Sequence, residues 1–208
     1  MGHRFAEVAF TESVKAAQER NRARAQNERL ENMGSPNDEF GPAEAAFIAA
    51  RDSFYMATVS ETGWPYVQHR GGPPGFLQVL DARTVAFADF RGNRQYVSVG
   101  NLARNDRVSL ILVDYPNRQR LKILGHIRVV DADEDPELVK RVEMPTYRAR
   151  VERLMLISLE AFDWNCPQHI TPRFSAAEVE RATEPLRARI ARLEARLREL
   201  GMAVPSGE

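Results

Sequence analysis

From residue 54 to residue 162 the chain is a succession of short apolar segments punctuated by turn residues, and this pattern excludes most architectures. Tyr55-Met56-Ala57-Thr58-Val59 reads as a strand, Glu61-Thr62-Gly63-Trp64-Pro65 as a hairpin turn, and 66–70 as the returning strand. Residues 76–80 and 84–90 form a second pair around Asp81-Ala82-Arg83. Residues 107–113 and 121–131 form a third around Tyr115-Pro116-Asn117, and 154–162 reads as a last strand. Six or seven strands at such spacing, with few helices between them, predict an antiparallel sheet closed as a barrel in one α+β domain. The long alternation of a doubly wound sheet is missing. So are GxGxxG and GxxxxGK[ST] stretches, which argues against a Rossmann or P-loop nucleotide site.

Helices are expected around this core. Residues 93–102 read as helical, as does a short helix opening at Gly41-Pro42, where proline suits the first turn. Another should carry Leu138, Val139 and Val142. The polar first forty residues cannot build a core alone and are expected to form a helical arm. Near the C-terminus Leu186, Ile190, Leu193, Leu197 and Leu200 recur at spacings of four, three, four and three. Arg and Glu fill the positions between them, so the helix reads as a dimerisation seam, the alternative being a helix lying on its own domain. The expected organisation is an arm over 1–40, a barrel domain over 41–174 and a C-terminal helix over 175–208.

Composition narrows the partners. Lys plus Arg equals Asp plus Glu at 29 each, so net charge signals neither nucleic acid nor an anionic membrane surface. Cys166 is the single cysteine, which excludes an internal disulfide and a cysteine-rich zinc module. No apolar run reaches the ~18 residues of a membrane span, and the first residues lack the pattern of a signal peptide. The expectation is a soluble cytoplasmic protein.

Three stretches carry chemistry. In Phe90-Arg91-Gly92-Asn93-Arg94-Gln95 a strand meets a helix, and backbone N–H groups beside a guanidinium favour a phosphate. The competing reading is an ordinary turn with a surface arginine. In Gln68-His69-Arg70-Gly71-Gly72, strand alternation puts Gln68 and Arg70 on one face and His69 on the other. Glycines there let a flat ligand lie against the backbone, or simply end a strand. The third, Asp163-Trp164-Asn165-Cys166-Pro167-Gln168-His169, reads as a rigid loop lending Trp164, Gln168 and His169 to a pocket wall. Cys166 and His169 have metal-like spacing, but no second pair completes four ligands, so no metal is expected. A Cys166 nucleophile would lack an orienting third group. His169 is the candidate proton donor or acceptor, with a structural histidine as the alternative.

Together these stretches resemble the pyridoxamine 5′-phosphate oxidase-related family of flavin-binding split barrels over roughly residues 43–170. The carriers are Phe54-Tyr55-Met56-Ala57-Thr58-Val59, Gly63-Trp64-Pro65-Tyr66, Phe87-Ala88-Asp89-Phe90 with Gly92-Asn93-Arg94-Gln95, Asn105-Asp106-Arg107-Val108-Ser109-Leu110 and Leu121-Lys122-Ile123-Leu124-Gly125. The resemblance implies a six-stranded antiparallel split barrel with flanking helices, a homodimer holding FMN at the subunit interface, and an oxidoreductase acting on a small molecule. It implies that residues 68–72 line the flavin, that Asp89 and Phe90 sit beside it, and that Arg120 approaches it from the partner strand. Arg94 matches the first member of the family's Arg-Lys phosphate clamp, and Gln95 replaces the second; Arg70 is the expected substitute. Vitamin-B6 oxidases carry an R-x-[VL]-L-L-K strand where this chain has Gln68-His69-Arg70-Gly71-Gly72-Pro73, and a basic C-terminal segment absent here. The expected substrate is therefore a different one. The alternatives are a split barrel holding deazaflavin F420 or haem, or a flavin-binding sensor without turnover.

Overall fold

The computed structural model describes every residue except Met1, 33–35, 145, 165–166 and 205–208. The chain divides into two units, the larger comprising Met1–Asp114 with Gln119–Gln168, the smaller Tyr115–Arg118 with His169–Glu208. No helix among the described residues is long and apolar enough to cross a membrane.

In the larger unit seven strands form one antiparallel sheet: β1 (Ser53–Val59), β2 (Pro65–Gly71), β3 (Leu77–Asp81), β4 (Thr84–Phe90), β5 (Arg107–Asp114), β6 (Gln119–Asp131) and β7 (Val151–Trp164). Their order is β2-β1-β5-β6-β7-β4-β3, so β2 and β3 are its two edges. β1 and β4 stand four strands apart, which in a flat sheet is about 19 Å. Yet Phe54 on β1 and Phe87 on β4 meet edge to face at 5.2 Å, and Phe54 stacks on Phe76 at 5.6 Å. The sheet therefore curls round a single core, and its two edges face each other without a ladder between them. That is a split barrel. It has seven strands rather than the six implied by resemblance, because the edge strand β3 pairs with β4 in its own right.

Alternation along the strands supplies the core. Phe54 and Met56 of β1, Leu110 and Leu112 of β5, Leu121 and Ile123 of β6, and Met155 and Ile157 of β7 all point inward and are fully buried. A bulge where Leu124 faces Ala161 and Gly125 faces Leu159 leaves Glu160 outside the ladder, where it pairs with Arg4.

Helices α1 (Arg4–Ala9), α2 (Glu12–Arg20) and α3 (Arg24–Glu31) make up the N-terminal segment. Helix α4 (Pro42–Ala49) starts where the Gly41-Pro42 signal places it, with the Glu44 carboxylate accepting the Gly41 N–H at 3.0 Å. Helix α5 (Val97–Leu102) is shorter than expected: residues 93–96 stay outside it because Arg94 (φ 64°) and Tyr96 (φ 52°) take left-handed backbone that no α-helix accommodates. Helix α6 is Pro136–Val142. Strand β7 begins at Val151, three residues earlier than the apolar pattern suggests.

In the smaller unit, α7 (Ala176–Glu199) is capped at Ser175, whose hydroxyl accepts the Glu178 N–H while the Glu178 carboxylate accepts the Ser175 N–H.

Candidate functional site

The site lies in the larger unit, where β2 and β4 face each other across the split. Asp89, near the end of β4, is 5% exposed and carries two guanidinium groups. Arg70 on β2 donates to one oxygen at 2.5 Å, and Arg153 on β7 donates to the other at 2.9 Å. A buried carboxylate is stable only when paired in this way. The Arg70–Asp89 bond spans the two halves of the split, doing with side chains what no ladder does.

A second carboxylate completes the cluster. Beside the Asp89–Arg153 pair, Phe90 faces Val151, so Glu152 is an extra residue on β7. Such a bulge interrupts the strict alternation of faces: Glu152 lines the cleft while Arg153 reaches Asp89 at its edge. Glu152 accepts from the Tyr96 hydroxyl at 3.1 Å and from Arg153 at 3.1 Å, with Arg91 at 3.6 Å. The Arg153 guanidinium also lies over the Tyr96 ring at 4.9 Å, which holds the left-handed Tyr96 in place. Ser98 at the start of α5 donates to the Gln68 side chain at 3.0 Å, and Asn101 ties the helix to Thr58 of β1 at 2.9 Å.

These groups line a cleft of about 250 Å³ bounded by Gln68, Arg70, Asp89, Phe90, Asn93, Arg94, Tyr96, Ser98 and Glu152. An adjoining cleft of about 160 Å³ shares Gln68, Arg70, Asp89 and Phe90 and adds His69, Gly71 and Phe87. Arg70 and Arg94 line the cleft with Asp89 and Glu152, while Arg91 and Arg153 pair with those carboxylates from beside it, with exposed Asp131 3.9 Å from Arg153. Arg70 is committed to Asp89, with its Nε buried and unpartnered among the described residues. Arg94, at the mouth, has no carboxylate partner among them. Gln95 N–H donates to the Asn93 side chain at 3.2 Å, closing the turn that presents Arg94.

Thus Gln68, His69, Arg70, Gly71, Asp89, Phe90, Asn93 and Arg94 come together around two contiguous clefts, with Gln95 in the turn beside them. Alternation on β2 holds: Gln68 and Arg70 are half-buried while His69 is exposed against Tyr55. Arg120 and Trp164 lie elsewhere. Trp164 faces Leu121 at the far end of β7, packs edge to face on Phe47 and donates to Glu44 at 2.8 Å. Eleven residues, roughly 35 Å of strand, separate it from Arg153. Gln168 is exposed beyond β7, and His169, exposed with φ 63°, belongs to the smaller unit. Asn165 and Cys166 lie outside the described residues. Sequence reasoning missed Glu152, Arg153, Tyr96 and Ser98. The alternation Val151, Arg153, Met155, Ile157 carried a signal, hidden because two charged residues ahead of an apolar run look like loop.

The profile of the pyridoxamine 5′-phosphate oxidase family matches residues 40–165, more than half of the chain and the whole of the sheet. The chain belongs to that family. No curated protein matches it. Among solved structures, a Lactobacillus delbrueckii protein is 19% identical, with 63% of this chain and 97% of that one covered and a TM-score of 0.47. HupZ of Group A Streptococcus is 13% identical (65% and 100% covered, TM-score 0.46). An FMN-binding protein from Syntrophomonas wolfei is 14% identical (68% and 95% covered, TM-score 0.45). At such scores these likenesses carry no weight. Membership of the pyridoxamine 5′-phosphate oxidase family rests on the profile match, and the split barrel on the sheet itself.

Proposed function

We propose that this member of the pyridoxamine 5′-phosphate oxidase family binds FMN in the cleft between β2, β4 and the start of α5, and serves as an oxidoreductase on a small organic molecule. The observation that carries the reading is Arg94, which has no carboxylate partner among the described residues, in a cleft whose two carboxylates are already paired with other arginines. That donor set suits a dianionic phosphate: Arg94 is uncommitted, and the Ser98 hydroxyl and the Asn93 and Gln68 amides converge beside it. Arg70 supports the site through Asp89 rather than as a free second clamp.

The two contiguous clefts, about 250 and 160 Å³, together reach only the low end of the ~300–1,000 Å³ of ordinary ligand pockets, so one chain encloses a cofactor of this size incompletely. A homodimer resolves this, with Arg120 and Trp164 of a second copy closing over the flavin that the first copy's residues 68–71 line. The roughly 35 Å of strand between the two groups supports that division, since no single ligand site in one chain includes both. When bound, FMN supplies the electron-transfer chemistry. The protein holds the phosphate with Arg94 and fixes the strand beside the ring through the Arg70–Asp89–Arg153 cluster.

The test is to add FMN to the purified protein, remove the excess and record the visible spectrum. One retained flavin per chain, reducible by a nicotinamide donor, is expected. Arg94→Ala should then cost ~1.5–3 kcal/mol of FMN affinity, roughly 10- to 100-fold, read by flavin fluorescence. A colourless protein overturns the FMN reading, unchanged affinity in the variant overturns the phosphate assignment, and bound flavin that no donor reduces overturns the enzymatic role.

A further inference from the structure

We infer that α7 pairs with the α7 of a second copy as a parallel, in-register two-stranded coiled coil over residues 186–200. The inference rests on the smaller unit alone and requires no flavin. Leu186, Ile190, Leu193 and Leu200 are 61, 55, 54 and 58% exposed, and Leu197 among them is half-buried. An apolar stripe this regular along a helix is stable in water only against a partner. Pro185 stands immediately before Leu186, so the uninterrupted seam begins there.

The residues choose the partner and its direction. Ile190 and Leu197 occupy a positions, and Leu186, Leu193 and Leu200 occupy d positions. In a parallel pair, Ile190 at a with Leu at every d favours two strands over three or four. Arg189 takes a g position and Glu194 the e position five residues on, so a parallel pair in register sets each Arg189 against Glu194 of the second copy, twice by symmetry. Antiparallel alignments are less consistent: pairing Ile190 with Leu193 places Arg187 opposite Glu194 but also Arg189 opposite Arg196, and shifting by one heptad places Glu180 opposite Glu194 and Arg187 opposite itself. Glu194 also accepts from Arg198 of its own helix at 3.1 Å, and a carboxylate has room for a second donor.

The test uses the full chain with Cys166→Ser as background, carrying Leu186→Cys or Leu200→Cys. Fourteen residues of helix, about 21 Å, separate the two positions, so each meets its own counterpart only in the parallel pair; in the antiparallel one Leu186 faces Leu197 instead. Each variant alone is expected to oxidise to a covalent dimer under mild conditions, which requires the two Cβ atoms within a few ångströms. Absence of that self-cross-link in either variant overturns the inference. In the Leu200→Cys chain, Arg189→Glu should slow cross-linking about fivefold, and adding Glu194→Arg should restore it. Failure of the double exchange to restore the rate removes the proposed register. Neither readout involves the cofactor, so this inference and the FMN reading fail separately.

Discussion

Asp89 shows how much one side chain can hold. It joins three strands that the sheet leaves in different places, because Arg70 comes from the edge strand β2 and Arg153 from β7, the neighbour of β4. Asp89→Asn keeps the shape but removes the charge, leaving two buried guanidinium groups against a neutral amide. Loss of one member of a buried ionic cluster typically costs ~3–5 kcal/mol, and denaturant unfolding should read a loss of that order. A loss under about 1 kcal/mol would mean that water already reaches the cluster. Asp89 was legible as a site residue only through the family resemblance. Its partners were not, since Arg153 is 64 residues away and lies in a segment that looks like loop.

Among the elements, the paired strands β6 and β7 leave room for no side chain at one point. A methyl group at Gly125 would stand 2.5 Å from the Ser158 carbonyl oxygen, a backbone atom that cannot swing aside. Gly125→Ala should therefore destabilise the fold by ~1–3 kcal/mol, seen as a lowered urea midpoint with unchanged slope. The arm helices respond to pH instead. Hydrogen bonds from Arg24 hold the Glu31 carboxyl below its usual range, with the Arg24 and Lys15 charges adding to the effect. A carboxyl lowered on folding stabilises the native arm above its unfolded pKa of ~4.3, and that contribution is lost as pH falls through the folded value. Amide protection factors in α2 and α3 should fall on acidification below pH ~4, and Glu31→Gln should show the lower protection already at neutral pH. Element boundaries were legible where local chemistry decides them, as at Gly41-Pro42. They were not where tertiary contacts bend the backbone: the 93–96 turn looks helical by composition, yet Tyr96 is held left-handed against Arg153.

For the molecule as a whole, binding and stability are linked. If FMN occupies the cleft, a hundredfold excess over its dissociation constant adds ~2.7 kcal/mol to native stability, a rise of roughly 5–10 °C in the melting temperature at this chain length. Arg94→Ala should lose most of that rise at the same FMN concentration while melting normally without ligand. A variant that still gains the full shift would place the phosphate elsewhere. The barrel's open edges suit such coupling, because groups on β2 and β4 meet only through side chains and gain most from a ligand that bridges them.

By itself the sequence determined the period-two strands, the helix caps, the heptad seam and the family, all of which depend on residues close together in the chain or on motifs in fixed order. Which strands are neighbours, where the split falls and which charges meet across it were decided only by the tertiary structure. A carboxylate buried 64 residues from one arginine and 19 from another draws its partners from closure of the sheet, and nothing in the local pattern of β2, β4 or β7 encodes that closure.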